Sequence, residues 1–411
     1  MSIGNPCRPD LASLGPRASR PYALTYERAY RKCMSRRVDE REWVQFQWPY
    51  MLTLLGGEER VEKLAYETGA FTRRRAIRSP TDVLQMILIW AVAERSLRET
   101  AMLAAEAGLA DVSNVALVKR FGKAGKWLTS LLMAMVADRP MIDASCGPRI
   151  RVIDATAISR PGHQGTDLRV HLSMQLGTNR SDSIELTDGR GAESLDRFTF
   201  KAGEILLADS AYAHREALAG VAAAGAYFVV RPAWSFPLEN QDGTKFDLFD
   251  ALGHLPEAKP REFALQFRGK DRRPIACRLV AIRRTEQSAA HERERVSKNS
   301  KRHGAKSIDL RTLEYAGYIC LITNAPPELS CENVLDLFRF RWQIEMRFKD
   351  LKSVLHLADV PARSPELLEV YVLAKLLVAV VIENLSAAES FFPWGYPIPA
   401  DQLVASGAVD S

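Results

Sequence analysis

Cysteine and histidine are scarce. Six cysteines (Cys7, Cys33, Cys146, Cys277, Cys320, Cys331) and seven histidines serve 411 residues. No two cysteines share a zinc-type or disulfide-framework spacing, which argues against a stapled scaffold or a Cys/His metal site and for reduced thiols in a cytoplasm. His171, His214 and His356 are scattered and carry no metal-ligand spacing, so core or surface places are expected for them. A secretory signal is absent from the N-terminus, "MSIGNPCRPDLASLGPRASRP", which has no apolar stretch. No uninterrupted apolar run reaches membrane length either. The richest, "VYVLAKLLVAVVIENL", is broken by Lys375 and Glu383 and reads as a buried helix. Neither sign of charge dominates: 56 Lys and Arg against 50 Asp and Glu leave +6, a mild lean towards polyanionic partners.

What is present is enough chain for two or three domains. Residues 1–21, rich in Pro, Gly and Arg, read as a disordered tail. Residues 22–145 carry helical periodicity. "SPTDVLQMILIWAVAERS" opens with Ser79 as N-cap and Pro80 at the first helical position, and "SLRETAMLAAEAG" has a capping box of Ser96 with Glu99. Ser113 then caps "NVALVKRFGKAGKWL". Two short helices, the second bearing Lys119, Arg120, Lys123 and Lys126, suggest a DNA-binding helix-turn-helix; a bundle with a solvated basic face is the plainer alternative.

Strand-like alternation begins at residue 146 and runs to 232: "RIRVID", "LRVHLSMQL", "SIELT", "GEILLAD" and "AYFVVRP", with a helix after Asp209. This order indicates an α/β domain with a mixed sheet. Residues 233–313 interrupt it with the strand patterns "REFALQF" and "CRLVAIRR". They also hold an arm, "HERERVSKNSKRHGAKS", too polar to fold alone. Its Arg293, Arg295, Lys298, Lys301, Arg302 and Lys306 suit a phosphate backbone, or form a solvated loop. Residues 314–390 resume the core with a strand and two helices, and 391–411 form a C-terminal tail.

The first of those helices holds "FRFRWQIEMRFKDLKS". At 100° per residue Leu337, Phe340, Ile344, Phe348, Leu351 and Leu355 make a buried stripe. Phe338, Arg341, Glu345 and Lys352 make a second stripe about 80° away, at the rim of the buried face. Arg341 and Glu345 alone could be a surface ion pair stabilising by only ~0.3–0.5 kcal/mol. Arg339 and Trp342 point away from that stripe, and DNA contact from them is open.

Two further acids change the balance. Asp154 ends "RVID" and Asp209 ends "EILLAD", and the carboxyl ends of strands are where ligands gather in an open α/β sheet. Three acids within ~4 Å would repel by several kcal/mol and stay ionised together only around cations. Oxygen-only ligands suit Mg²⁺ or Mn²⁺, and two such ions ~3.5–4 Å apart are suited to phosphodiester chemistry. Arg341 and Lys352 would then grip the phosphates of the strand being cut.

These residues resemble the DDE transposases of bacterial insertion sequences, the group with a Tyr-x2-Arg-x3-Glu-x6-Lys signature. Phe338, Arg341, Glu345 and Lys352 match it, and "VIDATAIS", "PGHQGTDLRVHL", "LTDGRGAESLDRF", "LADSAYAHREAL" and "TNAPPELSCENVLDLFRFRW" extend the similarity over about residues 75–390. The resemblance implies a ribonuclease H-like catalytic core with a mainly β insertion after an all-helical N-terminal domain. It implies Asp154, Asp209 and Glu345 as metal-binding catalytic residues, and Mg²⁺ or Mn²⁺, two ions, as cofactor. DNA would be the partner, both element ends and target, held by a homodimer on paired ends in a bacterial cytoplasm and nucleoid. Phe338 departs from the family tyrosine, so a hydroxyl that would bond a phosphate is missing. Arg169 and His171, on the second expected strand, reach the site only by this resemblance. A catalytically silent DNA-binding derivative and a structure-selective nuclease of the same fold remain as alternatives.

Overall fold

A computed structural model of the chain describes residues 48–139 and 148–388, apart from 177, 303, 305, 306, 362 and 363. The expected tails at 1–21 and 391–411, together with Cys7, Cys33, Cys146 and Lys306, lie outside the described residues. Cys277, Cys320 and Cys331 are free thiols. Among the described residues no helix is long and apolar enough to cross a membrane.

The chain divides into two compact units. The first is helical: α1 Trp48–Leu54, α2 Glu58–Glu67, α3 Pro80–Ala91, α4 Leu97–Glu106, α5 Asn114–Phe121 and α6 Gly125–Ala137. Capping decides where these helices start. Ser79 and Asp82 form a reciprocal capping box at α3, as Ser96 and Glu99 do at α4, which satisfies amide donors that the first turn leaves unbonded. The Ser113 hydroxyl accepts from the Ala116 amide at the head of α5. The expected long basic helix after Ser113 is two helices instead. α5 stops at Gly122, so only Lys119 and Arg120 lie on it; Lys123 is in the turn and Lys126 on α6.

The second unit is built on one eight-stranded sheet, in the order β3-β2-β1-β4-β5-β8-β7-β6. Its strands are β1 Ile150–Ile158, β2 Leu168–Gln175, β3 Arg180–Asp188, β4 Ile205–Ala208 and β5 Tyr227–Val230, then β6 Arg261–Arg268, β7 Pro274–Arg283 and β8 Tyr318–Thr323. β1, β4 and β5 run parallel, and β4 connects to β5 through α7 Arg215–Ala223. The Leu176 amide donates to the Ile150 carbonyl, so β2 runs back along β1, and β3 runs back along β2. This 3-2-1-4-5 arrangement is ribonuclease H-like. Both faces are covered: β4 is buried throughout, and His171 and Ser173 are buried on the face opposite Val170, Leu172 and Met174. Buried Arg151 is held in the strand by Ser173, Asp182 and Glu204.

Two expectations are corrected here. The β-rich insertion does not stand apart, because β7 pairs antiparallel with β8, and β6 with β7, so both extend the same sheet. After the short α8 Leu248–Gly253 and these strands, the polar arm is a helix, α9 Glu286–Arg302. Ion pairs along it, Glu286 with Arg293, Glu292 with Arg295 and Glu294 with Lys298, supply what its few apolar residues lack.

After α10 Leu310–Tyr315 and β8, the helix expected over 337–355 is broken into α11 Cys331–Arg339 and α12 Trp342–Ser353. Between them the amides of Phe340, Arg341, Gln343 and Ile344 bond three residues back, the tighter 3₁₀ pattern, which turns the chain. The division between units falls inside α12, after Glu345. α13 Pro365–Ala388, expected to complete the sheet-bearing core, belongs to the helical unit. There Trp90 of α3 packs against Phe121 and Tyr371 at centroid distances of 5.5 and 5.2 Å.

Candidate active site

Ile153 of β1 pairs with Ala208 of β4. Asp154 and Asp209 each follow, so they occupy one level on adjacent parallel strands, which lie about 4.8 Å apart. Asp154 does not end its strand as expected. β1 continues to Ile158 because β2 still pairs with it, and what stops at Ala208 is β4. Asp209 instead turns the chain, its carboxylate accepting from the Ser210 amide at 2.6 Å to cap the 3₁₀ turn Ser210–Tyr212. The Asp154 carboxylate accepts from the Ala155 amide at 2.8 Å.

Burial pushes the Asp154 carboxyl up to about 6; the Ala155 amide and Arg341 oppose this, and the charges of Asp209 and Glu193 add to it. Asp154 therefore senses Asp209, Glu193 and Arg341 at once. Arg341, in the turn between α11 and α12, donates to Glu345 at 2.5 Å and lies over the Phe338 ring at 5.6 Å. Asp209 and Glu345 in turn both act on Arg295 of α9, after its main partner, Glu292. The three acids named from the sequence thus share one electrostatic neighbourhood within the sheet unit.

Glu345 is more than half exposed, on the first turn of α12, and its carboxylate is engaged by Arg341. Among the described residues no three His, Cys, Asp or Glu side chains converge closely enough to hold a metal ion. The donor set nonetheless fits a hard divalent cation. Two carboxylates share a level, one is buried against its own charge, and a cation between them would remove that penalty. Glu345 is the solvent-facing partner of the pair and Arg341 the largely buried one, so release of the carboxylate to a metal leaves the guanidinium in need of another anion.

Lys352 is exposed in the last turn of α12, seven residues beyond Glu345 and so on nearly the same face, about 10.5 Å along the axis. Arg339 is paired with Asp336 at 2.9 Å, and Trp342 is 42% exposed. Arg293 and Lys298 are paired along α9, whereas Lys301 and Arg302 lie exposed in its last turn. In the helical unit Lys119, Lys123 and Lys126 are exposed, and Arg120 lies 5.0 Å over the Phe71 ring.

His171 is buried and shares its Nε2 with the Thr187 hydroxyl at 3.0 Å; burial first, then Arg197 and Arg169, lower it to about 4, so it is a neutral core residue. His356 pairs with Asp359 at 3.0 Å. Arg169 lies 3.6 Å from Glu193. Sequence reasoning passed over Glu193, Arg231, Arg284 and Glu292. Arg231 follows the apolar strand "YFVV" just as Asp209 follows "ILLA", which was a usable signal; nothing local marks Glu292 among the charges of its arm.

A family model described as "Transposase DDE domain" matches residues 145–381. The transposase for insertion sequence element IS421 of Escherichia coli is 34% identical over 355 residues, covering 84% of this chain and 95% of its own. The transposase for insertion sequence element IS231E of Bacillus thuringiensis subsp. finitimus is 26% identical over 366 residues, covering 77% and 75%. Among solved structures, a piggyBac transposase synaptic complex with hairpin DNA aligns over 84% of this chain and 75% of its own, with a TM-score of 0.43 and 9% identity. With the matched model spanning more than half the chain and a relative at this identity nearly end to end, the chain belongs to the DDE transposases of insertion sequences.

Proposed function

We propose that Asp154, Asp209 and Glu345 form the reaction centre of this transposase, which cuts DNA at the ends of its own element and joins the freed 3′-hydroxyls to a target. The carrying observation is the shared level of Asp154 and Asp209 on β1 and β4, with Glu345 in the same charge neighbourhood. Asp154 and Asp209 would hold divalent metal, Mg²⁺ or Mn²⁺ in two ions, and Glu345 would complete the set after leaving Arg341. When bound, such ions activate a water or hydroxyl and stabilise the leaving oxygen of a phosphodiester.

Once Glu345 turns away, the Arg341 guanidinium is free to take a phosphate as a planar fork, steadied by the Phe338 ring. Lys352, one stretch further along the same face, would hold a neighbouring phosphate as a point charge. Helices α4 and α5, with Lys119 and Arg120, and the exposed end of α9 would bind duplex outside the reacting strand. Two copies on paired ends, in the bacterial nucleoid, complete the reading.

The test is nicking of a labelled duplex that carries the element's own terminal repeat, in Mg²⁺. Asp209→Asn and Glu345→Ala should each lower the rate at least about 100-fold while end affinity stays within about threefold. Wild-type rates in either variant would overturn the assignment. The Arg341–Glu345 pairing favours one other reading, a silent relative that binds ends without cutting; wild-type protein that binds but does not nick in Mg²⁺ or Mn²⁺ would select it.

A further inference from the structure

Val230 pairs with Ala208 as Ala208 pairs with Ile153. Asp154, Asp209 and Arg231 therefore follow these paired residues at one level on three adjacent parallel strands. Arg231 lies 3.8 Å from Glu292, a carboxylate buried on α9. Both Glu292 oxygens accept from Arg295, at 2.9 Å from Nε and 2.7 Å from Nη2. Arg284 acts on the same carboxylate, and its Nε is buried without a hydrogen-bond partner. Two guanidinium groups thus pair with one anion, and a third, Arg284, acts on it through space, an excess of positive charge beside Asp209 and Glu345.

Positive charge here opposes the repulsion that three carboxylates would exert on a polyanion. Glu292 occupies Nε and one N–H of Nη2, which leaves Nη1 and the other N–H of Nη2 for a second acceptor. A phosphate fits that edge, since its two oxygens match the spacing of a guanidinium fork.

We propose that Arg231, Arg284 and Arg295, gathered by Glu292, seat a phosphate of the DNA strand that reacts at the acids, with Glu292 as the positioning residue. The proposal rests on the DNA-processing reading of the site. It assigns a purpose to a buried carboxylate in a helix that carries five lysines and arginines, and to an arginine on the level of the two proposed catalytic aspartates.

The test uses the full chain and terminal-repeat duplexes, either unmodified or with a single neutral methylphosphonate stepped along the strand near the cleavage position. Binding is measured in EDTA, so no cutting is needed. Arg295→Ala should raise Kd about fivefold on the unmodified duplex and lower the salt slope by about one. At one methylphosphonate position the wild type should lose the same factor, and Arg295→Ala should lose no more, the signature of a shared contact. Arg295→Lys should not restore binding fully. Glu292→Gln, assayed at a temperature where circular dichroism shows it fully folded, should keep Kd within about twofold while nicking in Mg²⁺ falls about tenfold.

Equal losses for wild type and Arg295→Ala at every modified position would overturn the seat, and unchanged nicking in Glu292→Gln would remove its positioning role. A wild type that shows the shared-contact pattern but never nicks would overturn the reaction reading and leave the seat standing.

Discussion

Burial raises the Asp154 carboxyl to about 6, against an ordinary value near 3.9 in an unfolded chain. The folded protein therefore holds an extra proton between about pH 4 and pH 6. The contribution of this group to stability is greatest below that window and is lost as pH rises through it. Asp350, raised to about 6 by burial, acts in the same direction. His171, lowered to about 4, acts the other way over the same range, so the test is a difference: between pH 5 and pH 7.5 the Tm of metal-free wild type should fall relative to that of Asp154→Asn. Mg²⁺ at pH 7.5 should raise the Tm of the wild type and not of Asp154→Asn. Identical thermal curves for the two proteins across this range would contradict the account. Such a residue costs stability where function needs a dense cluster of charge.

Among the elements, α13 shows best how charge survives in a core. Lys375 is almost fully buried, and its ammonium donates to Glu94 at 3.0 Å and to the His356 carbonyl at 3.1 Å, above the Tyr371 ring at 4.6 Å. Glu383 is likewise buried and accepts from Arg347. Removing the exposed partner of Lys375 strands a cation, whereas replacing Lys375 by an apolar chain of similar length removes the problem. Glu94→Ala should cost about 3 kcal/mol in urea unfolding, and Lys375→Met less than about 1 kcal/mol. An equal cost for both would mean that the pair itself, rather than desolvation of the ammonium, governs this helix. The break between α11 and α12 belongs to the same scale. It puts Arg341 in a turn, where its guanidinium reaches Phe338, Glu345 and the field of Asp154 together.

For the whole molecule the excess of six positive charges is modest, so DNA affinity depends on where the cations stand. Lys119 and Lys126 are exposed. Replacing both by Ala should lower the slope of log affinity against log salt by about two units, for specific and unrelated duplexes alike. A slope equal to that of the wild type, measured by titration at several salt concentrations, would place the DNA elsewhere.

The sequence by itself determined the local devices. The Ser79 and Ser96 boxes, the five strands of the mixed sheet, the strand-end place of Asp209 and the bounds of α13 follow from propensity, capping and periodicity within a few residues of each position. It also placed Arg341 four residues before Glu345, in the stretch that resembles the family signature. Only the tertiary structure decided the rest. β1 runs past Asp154 because β2 lies alongside it, and β6 and β7 join the main sheet because β8 offers an edge. α13 belongs with the N-terminal helices because Trp90 and Glu94 meet Tyr371 and Lys375 there. The arginine cluster at Glu292 was hidden for the same reason. Its members lie on β5, at the end of β7 and on α9, and a charge in one stretch of chain carries no local mark of the partner that will neutralise it.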